Sequence, residues 1–336
     1  MWPSHTGFMF IVHRNWVGFC LVLLLGAATA GAGPDDPSLR TVAAVSGARP
    51  SPDGYFHLRP VGSWSGLPGD KACAARVHRS TWEIRPQNFK ENHTMPNPAK
   101  VHRAFADRRR AGVSDRWNRW LLPRVDGQFT GTTDEILQWA ACKWGLPDNL
   151  LRAIAVRESS WYNYLHYVNG KPVQYLGSGD IVSNPSKATG VFCDGLSQVG
   201  GVDYQRWYGN RRCPETFSIV GIKAWEDPSW GRWFRNQNGT FAFSRDSTAF
   251  AADYIGSQLR GCYEGWQWWL KDTGDHSYGA GDIWGCVGAW YAGAWRTQAA
   301  RGYAGRVQGT LKEHHWLWTK FAAKVFDCDP HLGCPV

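Results

Sequence analysis

Cysteine placement constrains this chain more than any other feature of its sequence. Of nine cysteines, Cys20 lies in an N-terminal apolar run, and eight remain: Cys73, Cys142, Cys193, Cys213, Cys262, Cys286, Cys328 and Cys334. The run itself extends from Trp16 to Ala28, follows His13 and Arg14, and leads into the small residues Ala28-Thr29-Ala30. Basic flank, short apolar stretch and small-residue site have the form of a secretory signal peptide. The run is short for a membrane span, with an uncleaved anchor as the alternative. An even cysteine count after an export signal reads as disulfides. Eight cysteines allow many connectivities, and pairing neighbours in sequence gives Cys193–Cys213, Cys262–Cys286 and Cys328–Cys334, which leaves Cys73 for Cys142. Without any C-x-x-C pair, a zinc site is the weaker reading.

The chain beyond the signal divides by composition. Residues 31–70 are rich in Gly, Pro and Ser and read as a flexible leader. Residues 71–130 read as an N-terminal segment packed on the main domain and tethered through Cys73. Within it Asn97-Pro98 forms a helix start, Val101 and Phe105 share a face, and Arg108-Arg109-Arg110 reads as a solvated helix end. The main domain is expected over 131–320, followed by a tail over 321–336. Thr132-Thr133-Asp134-Glu135 supplies capping residues and first-turn acids, with Ile136, Leu137, Ala140 and Ala141 at helical spacing behind them. Gly145 ends that helix and Pro147 opens the next. Gln138, Trp139 and Lys143 read as surface positions. Further helices are expected at Thr248–Arg260, Asp282–Tyr291 and Gln298–Glu313, and a loop-rich middle, with room for one short hairpin, between about 165 and 245.

One carboxylate stands out. Leu151, Ile154 and Ala155 lie at i, i+3 and i+4 of the second helix, and Glu158 falls one turn further along the same stripe. A carboxylate on an apolar face is costly unless it is paired or functional. Burial there would favour the protonated form, which is what an acid that protonates a leaving oxygen requires. A buried ion pair, or escape to solvent at the helix end, is the structural alternative. Two later segments carry ligand-like features. Asp194-Gly195-Leu196-Ser197-Gln198-Val199-Gly200 places Gln198 between glycines, and Gly288-Ala289-Trp290-Tyr291-Ala292-Gly293 sets an aromatic pair among small residues. Taken alone, the first is better read as an ordinary turn, and tight core packing is the alternative reading of the second.

Together these segments resemble the lytic transglycosylase family, whose catalytic domain is lysozyme-like. The matching residues are Gly145-Leu146-Pro147 leading to Glu158-Ser159-Ser160-Trp161, then Gly195-Leu196-Ser197-Gln198-Val199, then Ala289-Trp290-Tyr291-Ala292-Gly293, over residues 130 to 315. The chain departs from the family pattern in the last segment, where Trp290 stands for the usual Tyr and Tyr291 for the usual Asn, which affects how a sugar amide would be read. The resemblance implies a mainly α-helical, lysozyme-like (α+β) domain with a loop-rich middle and disulfides. It also implies cleavage of the β-1,4 bond between N-acetylmuramic acid and N-acetylglucosamine, with Glu158 as sole acid and then base. Ser159, Trp161, Gln198, Trp290 and Tyr291 become the expected substrate contacts. No cofactor or metal is expected. The expected partner is peptidoglycan glycan outside the cytoplasm, with neither nucleic acid nor stable membrane insertion.

Two rivals stay open. A muramidase or chitosanase of the same architecture would use a second carboxylate, with Asp180, Asp194 and Asp203 as candidates. A non-catalytic glycan-binding module would account for the 21 tryptophans, since Trp serves surfaces that are apolar on one face and wet at the edge. The net charge of +9 suits any anionic partner and does not choose among nucleic acid, membrane and acidic wall polymer. Neither a Walker motif, a dinucleotide fingerprint, a zincin helix nor a nucleophile elbow occurs; Gly62-Ser63-Trp64-Ser65-Gly66 has Trp in the nucleophile position. Asn92-His93-Thr94 and Asn238-Gly239-Thr240 match the glycosylation sequon.

Overall fold

The computed structural model describes residues 47–106, 112–163, 167–168, 171–172, 187–224 and 239–322. The signal segment, Arg108-Arg109-Arg110, Asp180, Asn238 and the Cys328–Cys334 pair lie outside the described residues. Three short elements come first: α1 (Asp70–Ala74), α2 (Phe89–Asn92) and α3 (Pro98–Ala106). The helical centre is α4 (Thr133–Trp144), α5 (Asp148–Ser159) and α9 (Thr248–Tyr263), joined by α10 (Ile283–Ala292) and α11 (Gln298–Glu313). Between α5 and α9 lie α6 (Lys187–Gly200), α7 (Tyr204–Tyr208) and α8 (Phe243–Asp246), and α12 (Thr319–Ala322) closes the described chain. Among the described residues strand structure is limited to two antiparallel hairpins, β1 (Tyr167–Val168) with β2 (Lys171–Pro172) and β3 (Thr216–Phe217) with β4 (Ile222–Lys223). The described protein is mainly helical.

Local chemistry accounts for the central helices. Thr132 and Glu135 form a reciprocal capping box at the start of α4, and Gly145 ends it in the left-handed conformation at φ 60°. Helix α9 is buried along its whole length, so it forms the axis on which α4 and α10 pack; α11 packs on α10 and α5. A β-carbon at Gly256 would overlap the Trp144 ring, and this glycine lets α9 and α4 approach closely. Among the described residues three disulfides join Cys73 to Cys142, Cys193 to Cys213 and Cys262 to Cys286, as expected from pairing sequence neighbours and leaving Cys73 for Cys142. Each cross-link of this kind contributes about 2–4 kcal/mol by restricting the unfolded chain.

Several expectations need correction. The part of the leader at residues 47–70 is not a loose tether. The Tyr55 and Phe56 amides donate to Asp148 Oδ1 at 3.0 Å, the Arg59 amide donates to the Gly145 carbonyl at 2.9 Å, and the Gly62 amide donates to Glu264 Oε2 at 2.8 Å. Buried carboxylates and the Gly145 carbonyl just past the end of α4 thus recruit a segment that has little periodicity of its own. Gln138, Trp139 and Lys143, expected at the surface, are buried. Lys143 Nζ is met by Asp70 at 2.5 Å, Asp253 at 2.8 Å and Asp126 at 3.0 Å, so its charge is compensated inside the fold. Helix α6 lies in the stretch expected to be loop. Gly190 and Gly195 weaken its helical signal, but Phe192 and Leu196 on one face pack into a small second core with Tyr204, Phe217 and Phe241, stapled by Cys193–Cys213. Asn92 of the first sequon is 1% exposed, its amide donating to Glu83 and Thr133, and is inaccessible to a glycan.

Candidate active site

The apolar stripe of α5 delivers Glu158 to the edge of the core. Leu151, Ile154 and Ala155 are fully buried, and Glu158, one turn on, is 9% exposed. Helix α11 brings Tyr303 to the same point, on a face shared with the buried Ala300, Ala304 and Val307. The Tyr303 hydroxyl donates to Glu158 Oε1. Burial, and next the Glu158 charge that accepts this bond, hold the Tyr303 pKa well above the usual phenol value. The phenol therefore keeps its proton and acts as a donor. On the outer side, Tyr291 at the end of α10 stacks on Tyr303 with ring centres 4.6 Å apart and planes within 2°. The Arg306 guanidinium lies 5.8 Å from each ring. Tyr291 is 53% exposed, so the chain Glu158–Tyr303–Tyr291 runs from core to solvent.

The turn after Glu158 is held in an unfavourable shape. Ser160 and Trp161 adopt φ values of 52° and 68°, the left-handed region that side chains avoid. Such residues persist where the surroundings over-determine them, and they cluster at functional sites. Here the surroundings come from the N-terminal segment. Arg85 Nε donates to the Ser160 carbonyl at 2.9 Å, and Asn88 Nδ2 donates to the Trp161 carbonyl at 2.6 Å. Asn163 continues the network, its amide donating to Asn88 Oδ1 at 2.9 Å.

Two expected contact residues are structural. Trp161 is fully buried, its indole donating to the Arg152 carbonyl at 3.0 Å and its ring set edge-on to Trp82 and Phe321. Ser159 is 3% exposed, and its hydroxyl donates to the Ile219 carbonyl at 2.8 Å. Neither can meet a sugar without unpacking. The Ser159 bond does anchor the β3–β4 turn beside the acid, assisted by the Ile219 amide donating to Asn163 Oδ1 at 3.1 Å. This hairpin, rather than residues 195–199, is what borders the end of α5. Gln198 is an exposed position on α6, whose packed face belongs to the second core. The glycines around Gln198 that suggested a ligand loop lie inside a helix.

The later aromatic pair is divided between two surroundings. Tyr291 faces Tyr303, as described. Trp290 lines a cavity of about 170 Å³ between the β3–β4 hairpin, α9 and α10, with Lys223, Tyr254, Gln258, Gln267 and Trp269 also on its walls. Glu158 is not on those walls, but both elements that flank it, the hairpin and the end of α10, continue into the cavity. Sequence reasoning missed Tyr303, Arg85, Asn88 and the place of the β3–β4 hairpin beside the acid, although a short hairpin was expected in this stretch. A polar-tipped Tyr on the apolar stripe of α11 was the available signal for the first. The others depend on contacts between residues 56 to 75 positions apart, to which periodicity is blind.

Two of the three candidate second acids have other roles, and the third, Asp180, lies outside the described residues. Asp194 accepts from Gln205 Nε2 at 2.5 Å on the surface of the smaller core, and Asp203 caps α7 by accepting from the Arg206 amide at 3.1 Å. Among the described residues no group of three or more His, Cys, Asp or Glu side chains is arranged to hold a metal ion, and no helix is long and apolar enough to cross a membrane. Comparison with models of protein families, with curated proteins and with solved structures returned no match.

Proposed function

We propose that this chain is a lytic transglycosylase of lysozyme-like architecture that cleaves peptidoglycan outside the cytoplasm. The observation that carries the reading is the carboxyl of Glu158, presented at the end of an apolar helix stripe, held by a phenol and followed by a strained turn. In the proposed reaction Glu158 donates its proton to the glycosidic oxygen as the C1–O bond of the muramoyl residue breaks. The resulting carboxylate then removes the proton from the muramoyl 6-hydroxyl, and O6 closes on C1 to form a 1,6-anhydro ring. Proton and bond count balance without water. Tyr303 would hold the carboxyl in one rotamer through both steps, since a fixed donor lowers the reorganisation that charge development requires.

The placement of Asp194 and Asp203, which are engaged on the surface of the smaller core, speaks against a hydrolase that would use either of them. The three disulfides fit an oxidising compartment. The experiment is mass spectrometry of soluble products from purified wall. Products with 1,6-anhydromuramoyl ends are expected. Ordinary reducing ends would convert the assignment to a hydrolase, and wall binding with no soluble product would leave a glycan-binding module.

A further inference from the structure

The whole net charge of this chain sits in one segment. Residues 71–125 hold thirteen Lys and Arg against four Asp and Glu, which accounts for the full +9. Residues 126–336 hold twenty of each sign, and residues 1–70 hold four of each. A charged surface that only keeps a protein in solution mixes both signs over the molecule, as the remainder of this chain does. An excess confined to one stretch points to a partner of opposite charge.

The fold leaves most of that charge open. Arg108, Arg109 and Arg110 lie outside the described residues. Of the ten other cations, Arg85 is buried against the strained turn, and Arg124 donates to the Pro68 carbonyl at 2.8 Å and the Lys143 carbonyl at 3.1 Å. Arg79 meets Glu135 at 3.3 Å, and Arg119 meets Asp115. The remaining six, Lys71, Arg76, Lys90, Lys100, Arg103 and Arg116, are exposed, and none of them enters an ion pair among the described residues. The described carboxylates of the segment do not offset them. Glu91 is buried, Glu83 accepts from the Thr133 amide at 2.6 Å, and Asp115 is held by Arg119.

These cations ride on a cover laid over the helical centre. Helix α1, with Lys71, is joined to α4 through Cys73–Cys142. Helix α2, with Lys90, packs on α9. Helix α3, with Lys100 and Arg103, sets Phe105 against Phe250 and Tyr254 of α9 at 6.3 Å between ring centres. Val101 and Phe105 are buried by this packing, so the basic face of α3 has no apolar stripe left to enter a bilayer. The disulfides fit an oxidising compartment, where nucleic acid is not the expected polyanion.

We infer that residues 71–125 form a docking surface for an anionic phosphodiester polymer of the cell wall. The wall setting comes from the proposed function, but the surface owes nothing to the chemistry at Glu158. Guanidinium forks and ammonium groups both pair with phosphate oxygens. Lys90 lies two residues beyond Asn88, which holds the Trp161 carbonyl, so a strand docked there lies next to the segment that fixes the acid's turn.

Titration of the secreted protein with poly(glycerol phosphate) tests the surface through two triple variants that change net charge equally. One combines Lys71→Gln, Lys90→Gln and Lys100→Gln. The other combines Lys271→Gln, Lys312→Gln and Lys320→Gln, at exposed positions elsewhere. At low salt the first should bind about tenfold more weakly or worse, and its logarithmic salt dependence should be shallower by about 2, from roughly 0.7 per lost contact. The second should stay within about twofold of wild type. Thermal midpoints verify that both fold, and Arg76→Gln, Arg103→Gln and Arg116→Gln together replace a destabilised first variant. Equal weakening by the two triples, or none by the first, overturns the surface. Tighter binding to single-stranded DNA of equal phosphate number, or to equimolar phosphatidylglycerol–phosphatidylcholine vesicles, overturns it in favour of a nucleic acid or a membrane. Release of anhydro products from wall stripped of the polymer is read separately: its absence rejects the transglycosylase, whatever the titration gives.

Discussion

The two ends of helix α5 bury carboxylates in opposite ways. At the N-terminal end Asp148 is fully buried, accepts the Tyr55 and Phe56 amides, and pairs with Arg152. Arg152 also pairs with Asp134 at 2.6 Å and donates to Asn149 Oδ1 at 2.7 Å. The charges at this end are matched by partners from three segments, and their arrangement is a fold device. At the C-terminal end Glu158 accepts from the hydroxyl of Tyr303, which is itself stacked beneath an exposed tyrosine. The contrast teaches that burial of an acid does not identify its role. What meets the carboxyl, and whether a path to solvent lies beside it, does.

The comparison breaks most visibly at its structural end. Arg152→Met should destabilise the protein by about 3–5 kcal/mol, because Asp134 and Asp148 would stay buried without their guanidinium. Urea unfolding at neutral pH measures this, and activity per folded molecule should be unchanged. A loss under about 1 kcal/mol would mean that the aspartates find other partners, and the contrast between the two ends would fail. At the other end the effects should invert. Glu158→Gln should reduce wall cleavage by at least about 100-fold, roughly 2.7 kcal/mol of barrier, while unfolding shifts by less than about 1 kcal/mol. Turnover above a tenth of wild type, assayed on the same wall preparation, would remove Glu158 from the chemistry.

How far the sequence disclosed these two ends follows from their physics. The stripe of Leu151, Ile154, Ala155 and Glu158 is a matter of spacing, and the caps at Thr132 and Gly145 are local, so α4 and α5 were legible. Helices α9, α10 and α11 were legible for the same reason, near the expected positions. The contents of α5's neighbourhood were not. Trp161 looked like a platform because its motif ends in an aromatic, yet its position in a left-handed turn drives it into the core. Lys143 looked like surface because a lone lysine usually is, and its three aspartates come from residues 70, 126 and 253. Helix α6 was hidden by two glycines whose cost is offset by a disulfide and an aromatic cluster. Each miss involves a partner far away in sequence.

Tyr303→Phe sharpens the comparison by removing one oxygen and keeping the stack on Tyr291. The Glu158 carboxyl becomes charged in the transition state, where a hydrogen bond to a charged acceptor contributes about 1.5–3 kcal/mol, so kcat/KM should fall about 10-fold to 150-fold. Stability should fall by only about 1 kcal/mol, the contribution of a bond to a neutral carboxyl, since the ring still fills its place on α11. An unchanged kcat/KM would make Tyr303 a packing residue and return Glu158 to the class of structural acids. Equal losses of stability and activity would have the same consequence.

The smallest expected effect separates titration from catalysis. Asp126 lies in the fold-holding cluster around Lys143, yet its pKa is raised to about 6; burial is the main cause, opposed by Lys143 and reinforced by Asp253 and Asp70. A carboxyl that titrates near pH 6 would attract notice as a catalytic candidate, although here it bonds Lys143 and helps shape the Gln128 turn. The sign of its contribution distinguishes it. The folded form holds its proton up to about 6 while the unfolded chain releases it near the ordinary aspartate value of 3.8, so the folded state binds more protons between these values. Stability from this group is therefore complete below pH 3.8 and is lost as pH rises through about 6. Asp126 is partly screened, so the loss between pH 4.5 and 7 should be about 1 kcal/mol. Denaturant unfolding of wild type and Asp126→Asn at both pH values isolates it: wild type should lose that much relative to the variant, with the same turnover per folded molecule. A gain toward neutral pH would mean that Lys143 stabilises the Asp126 anion outright, against the desolvation that burial imposes on it.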